Sequence, residues 1–338
     1  MSCPPLPPVS VVIAAREAAA GLEAAVASVR AQDYAGPLET VVALAPSGDA
    51  TAAVAHRLSG EGGLVVVANP DGTTPAGLNR AVAAASGEVI VRLDAHSRLA
   101  PGHVHRAVEL LAETGVANVG GPQAAQTTGG FAACVADAMR SRAGSGGATY
   151  RVGTRPGPAD TVYLGAFRRD ALEAVGGFDE ALPRNQDYDL NWRLRDAGHT
   201  VWFHPDLAVA YTPRDSVRGL WRQYYDYGRW KRRMLVRQPR SVRLRQLAAP
   251  AIVLALAGSV AASLRLRCRW PMTLPAAYAA GITAAGAAAA GRAGRVPGTA
   301  LALAVMHLAW GLGFLTGRAA APPAPPLRPE RPTPHPPR

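Results

Sequence analysis

Two short segments hold most of the side chains that could do chemistry. The first is Asp94-Ala95-His96. The second is Asn185-Gln186-Asp187-Tyr188-Asp189-Leu190, followed by Arg193-Leu194-Arg195. Carboxylate and imidazole are oxygen and nitrogen donors for a divalent cation, and a carboxylate can also take a proton as a general base. The same residues have structural uses. Asp94 can cap a loop beside an exposed His96, and Asp187 and Asp189 suit the positive end of a helix. The elements that carry them decide between these readings.

Those elements read as an α/β domain. Val9 to Ala15 (VSVVIAA) is an apolar, β-branched run suited to a buried parallel strand. A helix is predicted over Ala18 to Ala31, and further strands over Leu38 to Leu44, Leu64 to Val67 and Glu88 to Leu93. Pro46 to Asp49 is a turn in which Ser47 or Asp49 can cap the next helix. Thr74-Pro75 opens a helix that Gly87 closes. Strands alternating with helices imply a mostly parallel sheet with helices on both faces, in which ligands bind beyond the carboxyl ends of the strands. Asp94 and His96 stand at such an end. Gly120 to Pro158 reads as part helix, part loop. Thr161 to Phe167 is again a strand, Arg169 to Val175 a short helix, and Asp187 to Ala197 a helix with Leu190 and Leu194 inward. Thr200 to Phe203 and Ala208 to Tyr211 are short strands, and Val217 to Arg233 is helical.

The opening VSVVIAAREAA, the Asp94-Ala95-His96 strand end and the Asn185 to Leu190 segment, in this order, resemble the family 2 glycosyltransferases of the GT-A fold. They look most like bacterial succinoglycan-type exopolysaccharide enzymes, over roughly residues 8 to 235. The resemblance implies an inverting transferase using a nucleotide-sugar donor, a UDP-sugar by preference, and a divalent cation, Mn²⁺ or Mg²⁺. It implies that Asp94 contacts the ribose or the metal and that His96, in place of a second Asp, sits at the metal. It makes Asp187 the base for the acceptor hydroxyl, with Gln186 where Glu is usual. It places Ala15, Arg16, Glu17, Asp49, Gly77 and Asn79 with Asp94 at the donor, and Gly165, Gln186 and Arg193 on the acceptor side. Where the family carries Asp-Asp-Gly-Ser-x-Asp, Leu44 to Asp49 keeps only Ser47 and Asp49, so the acidic residue that would read a uracil edge is missing. Tyr163 to Arg168 resembles the strand that shapes the acceptor pocket. His204 is a third metal candidate by position. A degenerate membrane scaffold and a nucleotidyltransferase are the competing functions. The second lacks the glycine-rich, lysine-containing phosphate loop it would need.

The rest of the chain points to a membrane. The 338 residues carry a formal net charge of +12, almost all of it arginine, with Lys231 the only lysine. The densest basic run, Arg229 to Arg245, stands directly before the first apolar stretch, where anionic lipid attracts it. No nucleic-acid module is recognisable, so nucleic acid is excluded as a partner. Leu247 to Leu264, Trp270 to Gly291 and Val296 to Gly317 are predicted to be membrane helices. The Gln223 to Trp230 segment reads as an interfacial helix with an aromatic belt. The expected organisation is a tail (1–8), a GT-A domain (9–235), a basic linker (236–246), an anchor of about three helices (247–317) and a disordered proline-rich tail (318–338). Without a signal peptide the catalytic domain is expected on the cytoplasmic side of a bacterial inner membrane, with a polyprenyl-diphosphate-linked glycan as acceptor. Scattered Cys3, Cys134 and Cys268 read as reduced thiols.

Overall fold

The structure, a computed structural model, describes residues 5–127 and 129–317, so the predicted proline-rich tail lies outside the described residues. The first half runs β1 (Val9–Ala15), α1 (Ala19–Arg30), β2 (Leu38–Leu44), α2 (Thr51–Gly60), β3 (Leu64–Ala68), α3 (Thr74–Ala84), β4 (Val89–Asp94), β5 (Arg98–Leu99), α4 (His103–Thr114), β6 (Asn118–Gly121) and β7 (Gln123–Ala125). Then come α5 (Gly130–Arg140), α6 (Arg142–Ser145), α7 (Thr149–Val152), β8 (Gly157–Pro158), β9 (Tyr163–Arg168), α8 (Arg169–Ala174), α9 (Gln186–Asp196), β10 (Val201–Phe203) and β11 (Val209–Tyr211). Four longer helices close the described chain: α10 (Val217–Arg237), α11 (Ala248–Leu266), α12 (Thr273–Ala289) and α13 (Val296–Thr316).

Eight strands form the main sheet, in the order β3-β2-β1-β4-β9-β6-β10-β8. The four on the β3 side are mutually parallel, as their continuous apolar sequences require. Strand β9 runs antiparallel between β4 and β6, which the alternation of elements did not predict. One face packs Leu22 and Val26 of α1, Leu58 of α2 and Leu111 of α4 against Val11, Ile13 and Leu93. The other packs Leu78 of α3, Leu172 of α8, and Leu190 and Leu194 of α9 against Val12, Val41 and Ile90. The side-chain oxygen of Thr73, one residue earlier than predicted, caps α3 through the Ala76 amide at 3.4 Å, with Pro75 in the first turn.

Helix α13 is the hub of the C-terminal part, against which α10, α11, α12 and α5 all pack. Glycines make this possible. A Cβ on Gly228 of α10 would collide with the Trp310 carbonyl, and one on Gly313 of α13 with the Tyr225 carbonyl. Helix α10 is therefore packed along α13 rather than a free interfacial helix. Two stretches, Leu244–Leu266 and Ala293–Thr316, are long and apolar enough to cross a membrane. The middle stretch falls short: Trp270–Met272 forms a 3₁₀ turn around Pro271, leaving α12 only 17 residues.

Candidate active site

Strand β4 explains the position of the key side chains. Val91 and Leu93 join one core, while Ile90 joins the opposite one. Strand alternation therefore turns Arg92 toward the α9 face. Its guanidinium is only 3% exposed and forks between two carboxylates. One nitrogen donates to Asp94 Oδ1 at 2.8 Å, and the other makes a close ion pair with Asp187 Oδ1. Planar, bidentate geometry of this kind is what arginine supplies and lysine cannot. The Arg92 guanidinium also lies 5.8 Å from the Phe178 ring centroid.

Asp187 is delivered by the first turn of α9. Asn185 precedes that helix in the left-handed region, at φ 63°, turning the chain from the Pro183-Arg184 loop into the helix. Asp187 and Asp189 share this turn but have different surroundings. Asp187 faces a cleft, with its side chain 25% exposed. Asp189 is fully buried and bound to Arg193 Nε at 2.8 Å. Burial raises its carboxyl pKa, and Arg193 opposes that rise.

The cleft has a volume of about 910 Å³ and lies at the carboxyl ends of β1 and β4. Ala15, Arg16, Asp94, His96, Gln186 and Asp187 all line it, so the sequence-predicted donor, metal and base candidates meet there. His96 is exposed and backed by Gly21, where a Cβ would stand 2.9 Å from Nδ1. Arg16 Nη1 donates to the Gly72 carbonyl at 3.3 Å.

Other candidates have structural duties and do not line the cleft. Glu17 Oε1 accepts from the Gly48 amide at 2.6 Å, and the Glu17 amide donates to Ser47 Oγ at 3.1 Å. Asp49 accepts from the Ala19 and Thr51 amides, each at 3.0 Å, and hydrogen bonding, first from the Thr51 hydroxyl, lowers its pKa. Asp49 thus ties the start of α1 to the turn before α2, and α2 itself has no side-chain cap. Gly77 is there for close packing: a Cβ would stand 2.7 Å from Asn69 Nδ2 and 3.1 Å from Ala14 Cβ. Asn79 spends both ends of its amide on Phe178 and Glu180. Gly165, at φ 89°, has no room for a Cβ beside Asn118. Arg193, expected on the acceptor side, donates to the Val175 and Gly177 carbonyls and to Asp189 and does not line the cleft. His204 stands 3.4 Å from Asp206 and outside the cleft lining.

For a divalent cation the cleft offers Asp94 and His96. Among the described residues no group of three or more His, Cys, Asp or Glu side chains could hold a metal. Two protein ligands suffice when diphosphate oxygens and water complete the shell, which is the usual arrangement for Mg²⁺ at phosphate sites. Imidazole is better tolerated by Mn²⁺.

Sequence reasoning missed the basic and aromatic residues of the cleft: Arg92, Arg151, Tyr188, Tyr224, Tyr227 and Lys231. One signal was available for Arg92, a cation inside the otherwise apolar run EVIVRLD. A charge in a buried strand needs a partner.

Asp94 at the end of β4 and Asp187 in the first turn of α9 converge on one cleft of an α/β sheet, an arrangement that suits a metal-assisted group transfer. Residues 7–232 match the family described as glycosyltransferase like family 2, and the chain belongs to that family and is a glycosyltransferase. Succinoglycan biosynthesis protein ExoA of Rhizobium meliloti (strain 1021) is 33% identical over 288 residues, 82% of this chain and 86% of that protein. In fold, the chain is similar to the mannosyltransferase PcManGT from Pyrobaculum calidifontis, solved in complex with GDP-Man and Mn²⁺. The TM-score is 0.65 at 20% identity, over 92% of this chain and 87% of that one. Residues 1–349 of S. aureus TarS in complex with UDP give a TM-score of 0.50 at 15% identity, over 91% and 90% of the two chains.

Proposed function

We propose that the protein transfers a sugar, with inversion, from a nucleoside-diphosphate sugar to a lipid-linked glycan in exopolysaccharide or cell-envelope polysaccharide assembly. Its catalytic domain works on the cytoplasmic side of a bacterial inner membrane. One observation carries this reading. Ile252, Met306 and Trp310, from the two candidate spans, line the same cleft as Asp94 and Asp187. An acceptor held in the membrane can thus reach the reacting carbon without leaving it. The relationship to ExoA supports the exopolysaccharide setting.

In this reading the donor diphosphate lies against the β1 and β4 ends, beside Arg16, Asp94 and His96. Asp94 and His96 would hold a divalent cation that neutralises the leaving diphosphate. Arg92 occupies Oδ1 of both carboxylates, leaving the second oxygen of each for substrate or cation. Asp187 takes the proton of the acceptor hydroxyl through that free oxygen. The hydroxyl oxygen then bonds to the anomeric carbon from the face opposite the diphosphate, and the bond to the diphosphate breaks with its electron pair. In-line attack by a single nucleophile inverts the anomeric centre. PcManGT with GDP-Man and Mn²⁺ and TarS with UDP support the donor class, and a UDP-sugar is the first donor to try.

The test is nucleoside-diphosphate release by detergent-purified protein. It uses UDP-, GDP- and dTDP-sugars, Mn²⁺ or Mg²⁺, and a bacterial lipid extract. Release that needs both metal and lipid, and that falls at least a hundredfold in Asp187→Asn, is the expected result. Full activity in Asp187→Asn, or release indifferent to lipid, would refute the assignment.

A further inference from the structure

The cleft carries more positive charge than a neutral glycan needs. Arg92 is matched by Asp94 and Asp187, and Arg245, which also lines the cleft, is matched by Asp160. Arg16, Arg142, Arg184 and Arg214 also line the cleft but are exposed to water, whereas Lys231 and Arg151 are not exposed and have no such match. Lys231 is 4% exposed and lines the cleft from α10. Its Nζ lies 3.5 Å from the Tyr188 ring centroid and 3.5 Å from Met234 Sδ, and makes no ion pair among the described residues. The acids nearest to it are already engaged, Asp160 with Arg245 and Asp189 with Arg193, while Arg195 and Arg245 add like charge. Burial pulls the Lys231 ammonium down to about 7. Arg151, on α7, has its Nη1 enclosed without a hydrogen-bond partner and lies 5.2 Å from the Tyr150 ring centroid. Its other neighbours, Tyr224 and Tyr227, are held neutral by burial, which raises both pKa values, Tyr227 to about 12. A buried amine pulled toward neutrality and a guanidinium nitrogen enclosed without a partner are both favoured in their charged, hydrogen-bonded form when a ligand supplies negative charge.

We propose that Lys231 and Arg151 form an anion site, separate from the donor diphosphate site, that holds the diphosphate joining the acceptor glycan to its lipid. The proposal rests on the lipid-linked acceptor described above. Tyr188, which stacks on Lys231, lines the same cleft as Asp187. On the other side Ile252, Met306 and Trp310 offer apolar surface to a lipid chain. A diphosphate diester brings two negative charges, equal to the two cations. Donor and acceptor phosphates are thus bound by different side chains of one cleft.

Lys231 is the only lysine, so amine acylation followed by mass spectrometry reads it without ambiguity from other side chains. The full chain in detergent is acylated alone, with a prenyl diphosphate, with the matching prenyl alcohol, and with nucleoside-diphosphate sugar plus Mn²⁺. The expected result is at least fivefold slower labelling with prenyl diphosphate alone among the three. Lys231→Met raises the KM for lipid acceptor at least tenfold and leaves the donor KM within threefold, and Lys231→Arg restores most of the loss. Protection by the nucleotide sugar would assign these cations to the donor and overturn the proposal. Transfer of sugar to lipid with no protection by prenyl diphosphate would overturn it while leaving the lipid-acceptor reading intact. Absence of any sugar on lipid would defeat that reading itself.

Discussion

Arg92 holds both acidic residues of the cleft at once. Arg92→Lys keeps a buried cation, yet one ammonium cannot fork across Asp94 and Asp187 as a guanidinium does. One of the two charge-assisted bonds is lost. Such bonds contribute about 1.5–3 kcal/mol each, so misplacing one carboxylate costs roughly 10- to 150-fold in kcat. Stability should change little. Asp94 and Asp187 keep 39% and 25% side-chain exposure, so water takes over much of the solvation of whichever is released. Arg92→Met is harsher, leaving two carboxylates facing each other without the cation. Its destabilisation stays below the roughly 3–5 kcal/mol typical of breaking a fully buried pair. The assay is initial-rate nucleoside-diphosphate release with donor and lipid varied separately, alongside thermal unfolding. The expected pattern for Arg92→Lys is a kcat loss of at least tenfold with an unfolding midpoint within a few degrees of wild type. A variant that folds normally and retains kcat within twofold would refute the claim that Arg92 positions the site.

Two further predictions concern the scaffold. His103 is 6% exposed, and burial lowers its pKa from 6.5 to about 4. The unfolded chain therefore binds the extra proton first as pH falls, and stability present above pH 6.5 is lost on the way down to pH 4. The loss is about 3 kcal/mol by linkage, and His103→Leu should flatten the unfolding midpoint across that window. Gly228→Val should force α10 from α13, costing about 1–3 kcal/mol or more by overpacking. The same variant should raise the lipid KM, because Tyr224, Tyr227 and Trp310 flank that contact and line the cleft. A Gly228→Val protein with unchanged midpoint and kinetics would contradict the close helix contact.

What the sequence revealed depended on how local the determining physics was. Strands β1 and β2 appear at their predicted limits because a run such as VSVVIAA can only be buried. Helix α9 was legible because Leu190 and Leu194 repeat at helical spacing and Gly198 follows. Asp94 and Asp187 came from matching segments, and the fold brings them to the two arms of one guanidinium. The structural partners of Asn79 were not legible because they lie 99 and 101 residues away, and no local pattern encodes them. Arg193 could have been placed, since Asp189 stands four residues before it and such pairs meet on a helix. Arg151 was beyond reach. It lies on a helix of four residues in a Gly-rich segment without hydrophobic periodicity.

The departures from the family pattern look different once the charges are placed. Gln186 for Glu and His96 for Asp each remove a negative charge from a cleft that already contains Arg92. With both substitutions the carboxylates left in the lining are Asp94 and Asp187, and Arg92 binds each of them. Restoring either acid would add a carboxylate to a lining whose only other carboxylates are Asp94 and Asp187, at a point where the diphosphate also brings negative charge. The substitutions thus read as one adjustment to a cation at position 92 rather than as separate steps toward inactivity. Of the remaining positive charge, the part shielded from water is at Arg151 and Lys231, where an anionic acceptor would meet it.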